Sequence, residues 1–296
     1  MADIRLLSFI DNRTARAGVL AGDRVFTPSE LLGAEGERLD TTMDILERWD
    51  TAWPALTKAA ATAKGGRALA SVRLAAPVAR PGAIYCAGAN YGDHQREMGG
   101  EVHKPQDPWF FVKSSTSVIG PGEDIRLPAF SKMVDWEAEI ALVIGRAARN
   151  VPAEKALDCL AGYTILNDLS ARDFIKREGS HFVFDWVGQK CFDTSAPTGP
   201  WITPADAVPD PDDMSIELRV NGVIKQDSNT SRIVHNFVEQ IVYLSSRITL
   251  HPGDLIATGT PSGVGMGRGE FLKPGDEVRI AIGGCGELVN KCVRGE

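Results

Sequence analysis

Apolar residues cluster in short runs along most of this chain, at 83–87, 109–113, 138–144, 163–166, 215–220, 255–258 and 277–282. Each run is rich in β-branched, aromatic or aliphatic residues and is bounded by Gly, Pro or Asp, which predicts strands. Asn221-Gly222 separates Leu218-Arg219-Val220 from Val223-Ile224. That pair predicts a tight hairpin, because a tight turn of the primed types needs positive φ. Helical stretches are fewer and are expected at 91–98, 153–159, 171–178 and 234–248. The pattern predicts an α+β protein with a β-rich core.

The first 70 or so residues read as a smaller unit. Strands are expected at 4–10 and 18–26, paired around short turns. Ile45, Leu46, Trp49, Trp53 and Leu56 recur at roughly helical spacing, with Thr41 and Asp44 as a capping box. A second helix is expected at 59–63, stopped by Gly65-Gly66. Pro77 and Pro81 mark 75–82 as a linker, so the expected division is a small unit at 1–72 and a larger one at 73–296.

Composition narrows the class. A hydrophobic fraction of 43% and a charged fraction of 24% are ordinary for a globular protein. No apolar run approaches the ~20 residues of a membrane span, and Met1-Ala2-Asp3-Ile4-Arg5 lacks a signal-peptide core. A soluble, cytoplasmic protein without membrane partners is expected. The net charge of −7 argues against a nucleic-acid surface. The five cysteines include no Cys-x-x-Cys pair, and the five histidines are dispersed. Reduced structural thiols are expected, and a nitrogen-rich zinc centre is not.

Candidate chemistry begins at Asp135-Trp136-Glu137-Ala138-Glu139, the mouth of an apolar strand. Residues two apart share a strand face, so Glu137 and Glu139 should project together. Adjacent carboxylates repel unless a cation or solvent compensates, and a solvated strand end is the plain alternative. Asn167-Asp168-Leu169-Ser170-Ala171-Arg172-Asp173 runs from another apolar strand into the helix expected at 171–178, capped by Ser170 and Asp173. Asp168 at that junction either faces a site or helps cap the helix. If the three carboxylates converge, they form an all-oxygen site suited to Mg²⁺, Mn²⁺ or Ca²⁺.

Other segments add groups of lower specificity. Asn90 can cap the 91–98 helix, on which His94 and Glu97 lie three apart; such a pair serves as an oriented base or is a surface pair. Lys190 would help hold negative charge beside a metal-bound enolate, or is an ordinary surface lysine. The Gly-rich stretch 257–267 is neither a P-loop nor a Gly-x-Gly-x-x-Gly motif. Its N–H groups and the Thr260 hydroxyl could bind a substrate carboxylate, or the stretch is a flexible turn.

Taken in order, Asn90-Tyr91…His94…Glu97, Lys113, Glu137-x-Glu139, Asn167-Asp168-x-Ser170-Ala171-Arg172-Asp173, Lys190…Asp193-Thr194…Gly199-Pro200, Gly253-Asp254…Gly259-Thr260-Pro261…Gly263-Val264-Gly265 and Pro274-Gly275-Asp276 resemble the fumarylacetoacetate hydrolase family. The likeness covers roughly residues 73–292. It implies a mixed β-sandwich roll with a small N-terminal α/β cap, usually a homodimer. It also implies Mg²⁺ or Mn²⁺ on Glu137, Glu139 and Asp168, a His94–Glu97 dyad on a lid, and Lys190 beside the scissile bond. Tyr91, Lys113, Arg172 and Thr260 fall at matched positions expected to serve the substrate. The implied activity is hydrolytic carbon–carbon cleavage of an acylpyruvate-type keto acid. Oxaloacetate decarboxylation, isomerisation or tautomerisation of an unsaturated keto acid, and a non-catalytic ligand-binding role are the alternatives. The chain departs from the family at Ile175, where members commonly carry Gln, and at Gln189, where Gly is frequent, so the resemblance does not carry over a substrate.

Overall fold

The computed structural model describes residues 4–295 apart from 177, 178, 180, 182 and 183. Its spine is the antiparallel pair Ala138–Ile144 and Leu160–Asn167, every residue of which is buried. Burial on both faces explains why these segments read as largely apolar runs. Ile140, Leu142 and Ile144 enter one core, whereas Ala141 and Val143 enter another.

The pair lies inside a twelve-stranded sheet. On one side follow Leu255–Ala257, Ile84–Ala87 and Phe110–Lys113; on the other, Ala196–Pro204, Ile4–Asp11, Thr14–Ala21, Arg24–Phe26 and Arg67–Ala68. A second, five-stranded sheet runs Val223–Asn229, Ser215–Val220, Glu277–Ile282, Gly286–Arg294 and Ile125–Leu127. Ile216, Leu218, Ile280 and Leu288 from this sheet share a core with Ile140, Leu142 and Ile165 from the first. The opposite face of the large sheet, through Ala141, Val143, Ile84 and Leu255, packs on Ile45, Leu46, Trp53 and Leu56.

All seven strands expected between 83 and 282 are present, within a few residues at their ends. Asn221 and Gly222 have φ of 51° and 78°, as the predicted hairpin requires. The N-terminal expectations need adjustment. The strand at 18–26 is two strands, because the chain turns at Gly22-Asp23. Thr41 and Asp44 do form a reciprocal capping box, but they cap the short helix Thr42–Leu46. A separate helix Trp49–Ala60 follows, with Trp49 and Trp53 stacked at 5.0 Å. That helix absorbs the start of the one expected at 59–63.

Three further expectations fail for local reasons. The segment 153–159 forms two 3-10 turns, Ala153–Lys155 and Leu157–Cys159, instead of an α-helix. Ser170–Ala171 does not cap a helix; it pairs as a two-residue strand with Val134–Asp135. Arg172–Phe174 is a 3-10 turn, and the end of the expected 171–178 helix lies outside the described residues. Asp173 instead accepts hydrogen bonds from Ser131 and Lys132.

One close approach fixes the sheet. A Cβ on Gly162 would stand 2.0 Å from the Thr203 carbonyl oxygen, so only glycine lets Leu160–Asn167 meet Ala196–Pro204 there. Gly162→Ala is expected to destabilise the fold by about 1–3 kcal/mol, read as a lower urea midpoint with unchanged denaturant slope.

Candidate metal centre and active site

The ends of the central strand pair supply the acids. Beyond the Ala138–Asn167 pairing, the Glu137 N–H donates to Asn167 Oδ1 at 3.1 Å and the Asp168 N–H donates to the Glu137 carbonyl at 2.9 Å. These bonds keep the strand ends together, so Glu137, Glu139 and Asp168 converge. One carboxylate oxygen of each lies within 4.8 Å of the other two, and all three side chains are buried. The expected shared face of Glu137 and Glu139 is present.

Buried carboxylates this close are costly without positive charge. Lys190 Nζ lies 2.7 Å from both Glu137 Oε2 and Asp168 Oδ2. Lys113 Nζ approaches Asp168 Oδ1 to 2.7 Å and donates to the Leu169 carbonyl. Arg172 donates to Glu137 Oε1 at 2.5 Å and to Asp135 Oδ2 at 2.8 Å. Burial alone would raise the Glu137 carboxyl, but the charges of Lys190 and Arg172 hold it well below the usual range. Burial likewise opposes the Lys190 ammonium, yet Asp168 and Glu137 raise it overall. Glu139 differs. Burial, then the charges of Asp168 and Glu137, push it well above the ordinary value. Its carboxylate accepts the Gly259 N–H at 2.9 Å, with no cation paired to it among the described residues.

This donor set fits a divalent cation. Three converging carboxylates are hard oxygen donors without nitrogen or sulfur, which suits Mg²⁺, Mn²⁺ or Ca²⁺ rather than zinc. A cation held there would also bring positive charge to Glu139.

His94 and Glu97 occupy the helix Gly92–Glu97. His94 Nδ1 is 3.4 Å from Glu97 Oε2, and the Glu97 carboxylate accepts the Gly263 N–H at 2.9 Å. Burial would raise the Glu97 carboxyl, but the bonds from His94 and Gly263 bring it below the usual value. Asn90 does not cap this helix. Tyr91 holds the N-cap position, while Asn90 Nδ2 donates to the carbonyls of His235 and Thr258, and Oδ1 accepts the His235 N–H.

A cleft of about 130 Å³ brings these elements together. Glu137, Glu139, His94, Arg172, Lys190 and Thr260 line it beside Trp109, Phe111, Trp186 and Gln189. Tyr91 and Lys113 are fully buried and are not among its lining residues. Larger hollows exist, such as one of about 640 Å³ beside Leu32 and Arg38, but none of these acids and bases lines it.

Sequence reasoning missed three features. Asp135 received no role, although it holds Arg172 and accepts the N–H groups of Gly265 at 2.6 Å and Met266 at 2.9 Å. Gln226 donates to the Thr260 hydroxyl, which itself donates to the Ala138 carbonyl. The aromatic wall also went unread. Trp186 stacks on Phe111 at 5.1 Å and meets Trp109 at 5.1 Å, residues 75 or more apart in sequence. The Gly-rich stretch needs a correction too: its Gly259, Gly263 and Gly265 N–H groups point at Glu139, Glu97 and Asp135, not at a free anion site.

The family model described as fumarylacetoacetate (FAA) hydrolase C-terminal matches residues 83–293. The chain belongs to the fumarylacetoacetate hydrolase family. The mitochondrial oxaloacetate tautomerase of Rattus norvegicus is 41% identical over 255 residues, 86% of this chain and 80% of the relative. Maleylpyruvate hydrolase from Sphingobium sp. SYK-6, solved with manganese(II) and pyruvate, superposes with a TM-score of 0.80 at 33% identity. It covers 99% of this chain and 100% of its own. Fumarylacetoacetate hydrolase from Exiguobacterium antarcticum gives a TM-score of 0.80 at 30% identity, covering 99% and 100%. The mixed α+β fold is thus that of the family. No helix among the described residues is long and apolar enough to cross a membrane.

Glu139→Gln is expected to weaken Mn²⁺ binding at least tenfold in titration calorimetry, since a metal contact through a carboxylate becomes one through a neutral amide. Asp227→Asn, at an exposed position, should leave it unchanged.

Proposed function

We propose that this chain is a Mg²⁺- or Mn²⁺-dependent enzyme of short 2-oxo acids that cleaves an acylpyruvate with water. The observation that carries this reading is His94, paired with Glu97, lining the same small cleft as Glu137 and Glu139 of the three-carboxylate cluster. A manganese- and pyruvate-bound relative of the same fold supports it.

In this reading Glu137, Glu139 and Asp168 hold the cation. When bound, it supplies Lewis-acid polarisation of the 2-oxo group, an effect worth several kcal/mol. Glu97, charged throughout the neutral range because its carboxyl is depressed, fixes the His94 ring through Nδ1 and leaves Nε2 to act as the base. His94 Nε2 takes a proton from water, which adds to the distal carbonyl. The carbon–carbon bond then breaks, and its electron pair leaves as the pyruvate enolate. His94 returns the proton to the enolate carbon, giving pyruvate and a carboxylic acid. Lys190 and Arg172 keep positive charge beside the developing oxyanion.

A second reading is keto–enol tautomerisation of oxaloacetate, in which the same imidazole moves one proton and no water is consumed. The name of the Rattus norvegicus relative favours it.

Product analysis by NMR separates the two. Pyruvate with the matching free acid from an acylpyruvate, stopped by EDTA, supports hydrolysis. Interconversion of oxaloacetate tautomers with no acylpyruvate turnover supports the second reading. Glu97→Ala and His94→Ala are each expected to lower kcat by about 10²–10⁴-fold with Mn²⁺ affinity retained. Unchanged turnover in Glu97→Ala with metal bound would remove the dyad from the mechanism. Assembly as a homodimer belongs to the same proposal; light scattering behind a sizing column should return twice the chain mass.

A further inference from the structure

Gln189 is a buried amide with unused hydrogen-bonding capacity. The residue is only 4% exposed, lines the cleft, and has a carboxamide oxygen without a hydrogen-bond partner among the described residues. A buried polar group left unpaired costs free energy, so one retained in a cleft calls for an explanation.

The surroundings say what would satisfy it. Gln189 lies on the short helix Trp186–Lys190, where Trp186, Gln189 and Lys190 fall three and four apart and therefore share a face. Lys190 reaches Glu137 and Asp168 from that face. Trp186 continues outward into the stack with Phe111 and Trp109. The other polar side chains of the lining are engaged: Arg172 with Asp135 and Glu137, His94 with Glu97, Thr260 with Ala138 and Gln226. Gln189 is thus a neutral polar group set between the charged cluster and an apolar wall.

We propose that Gln189 sets the substrate class of this site: its carboxamide hydrogen-bonds a second oxygen, carbonyl or carboxylate, on the tail of a short 2-oxo acid. This deepens, and rests on, the functional reading above. An alkyl tail of the same length would fill the space but leave the amide buried and unpaired. Sites built around such a bond discriminate strongly against the analogue that lacks it.

The test uses Mn²⁺-loaded protein carrying His94→Ala to slow turnover, and calorimetry with three five-carbon acids. These are 2-oxopentanoate with an alkyl tail, 2,4-dioxopentanoate with a tail carbonyl, and 2-oxoglutarate with a tail carboxylate. Adding Gln189→Leu, or the length-matched Gln189→Met, is expected to weaken at least one oxygen-bearing acid tenfold or more. Binding of 2-oxopentanoate should stay the same or improve. Loss confined to 2-oxoglutarate identifies a carboxylate tail, and loss confined to the dioxo acid a carbonyl. Equal weakening of all three acids in both variants would mean that Gln189 only packs the cleft, and no change in any would mean that it faces water; either overturns the proposal. If the parent with Gln189 intact binds none of the three, the reading of the site as a 2-oxo acid site falls, and this inference with it.

Discussion

Four carboxylates, those of Asp135, Glu137, Glu139 and Asp168, are buried together at the ends of two paired strands. Everything around them follows from the need to hold that charge. Lys113, Lys190 and Arg172 come from three separate parts of the chain to sit against them, each itself buried. Among the described residues three cations face four acids, and Glu139 is the acid of the cluster without a cationic partner. A divalent cation would bring positive charge to that carboxyl.

The backbone takes part as well. The stretch after Leu255–Ala257 spends its N–H groups on three acids, Glu139, Glu97 and Asp135, which belong to the cluster, the dyad and the Arg172 clamp respectively. One loop therefore sets the spacing between the proposed proton-transfer pair and the proposed metal ligands. Asp135 completes the connection by gripping both the loop and Arg172.

How much of this was legible depended on range. The apolar run at 138–144 and the Asn221-Gly222 turn are local signals and appeared in the structure as read. So did the face shared by Glu137 and Glu139, because the strand period is fixed at two. Ala196–Pro204 was invisible: with three prolines and a glycine it resembles a turn, yet it pairs with both Leu160–Asn167 and Ile4–Asp11. Ser170 misled in the opposite way, since a residue that favours caps was drawn into pairing with Asp135. Asp135, Gln226 and the Trp109–Phe111–Trp186 wall depend on partners distant in sequence, which no local pattern encodes. The convergence of the acids was foreseeable as a possibility, but the cations that permit it needed the fold.

The two-sided burial of Ala138–Ile144 has a consequence for how this chemistry could be moved. Glu137 and Glu139 lie on the same side of their strand as Ala141 and Val143, which pack on the N-terminal helices. The acids are thus the polar end of a row whose apolar end is roofed by residues more than eighty positions away. Grafting the Glu-x-Glu segment onto another sheet would bring the acids without that roof or the cations, leaving a repulsive pair in water. The site is portable only as the whole two-core body, so its chemistry would be expected to diversify through the cleft wall rather than through transfer of the acidic motif.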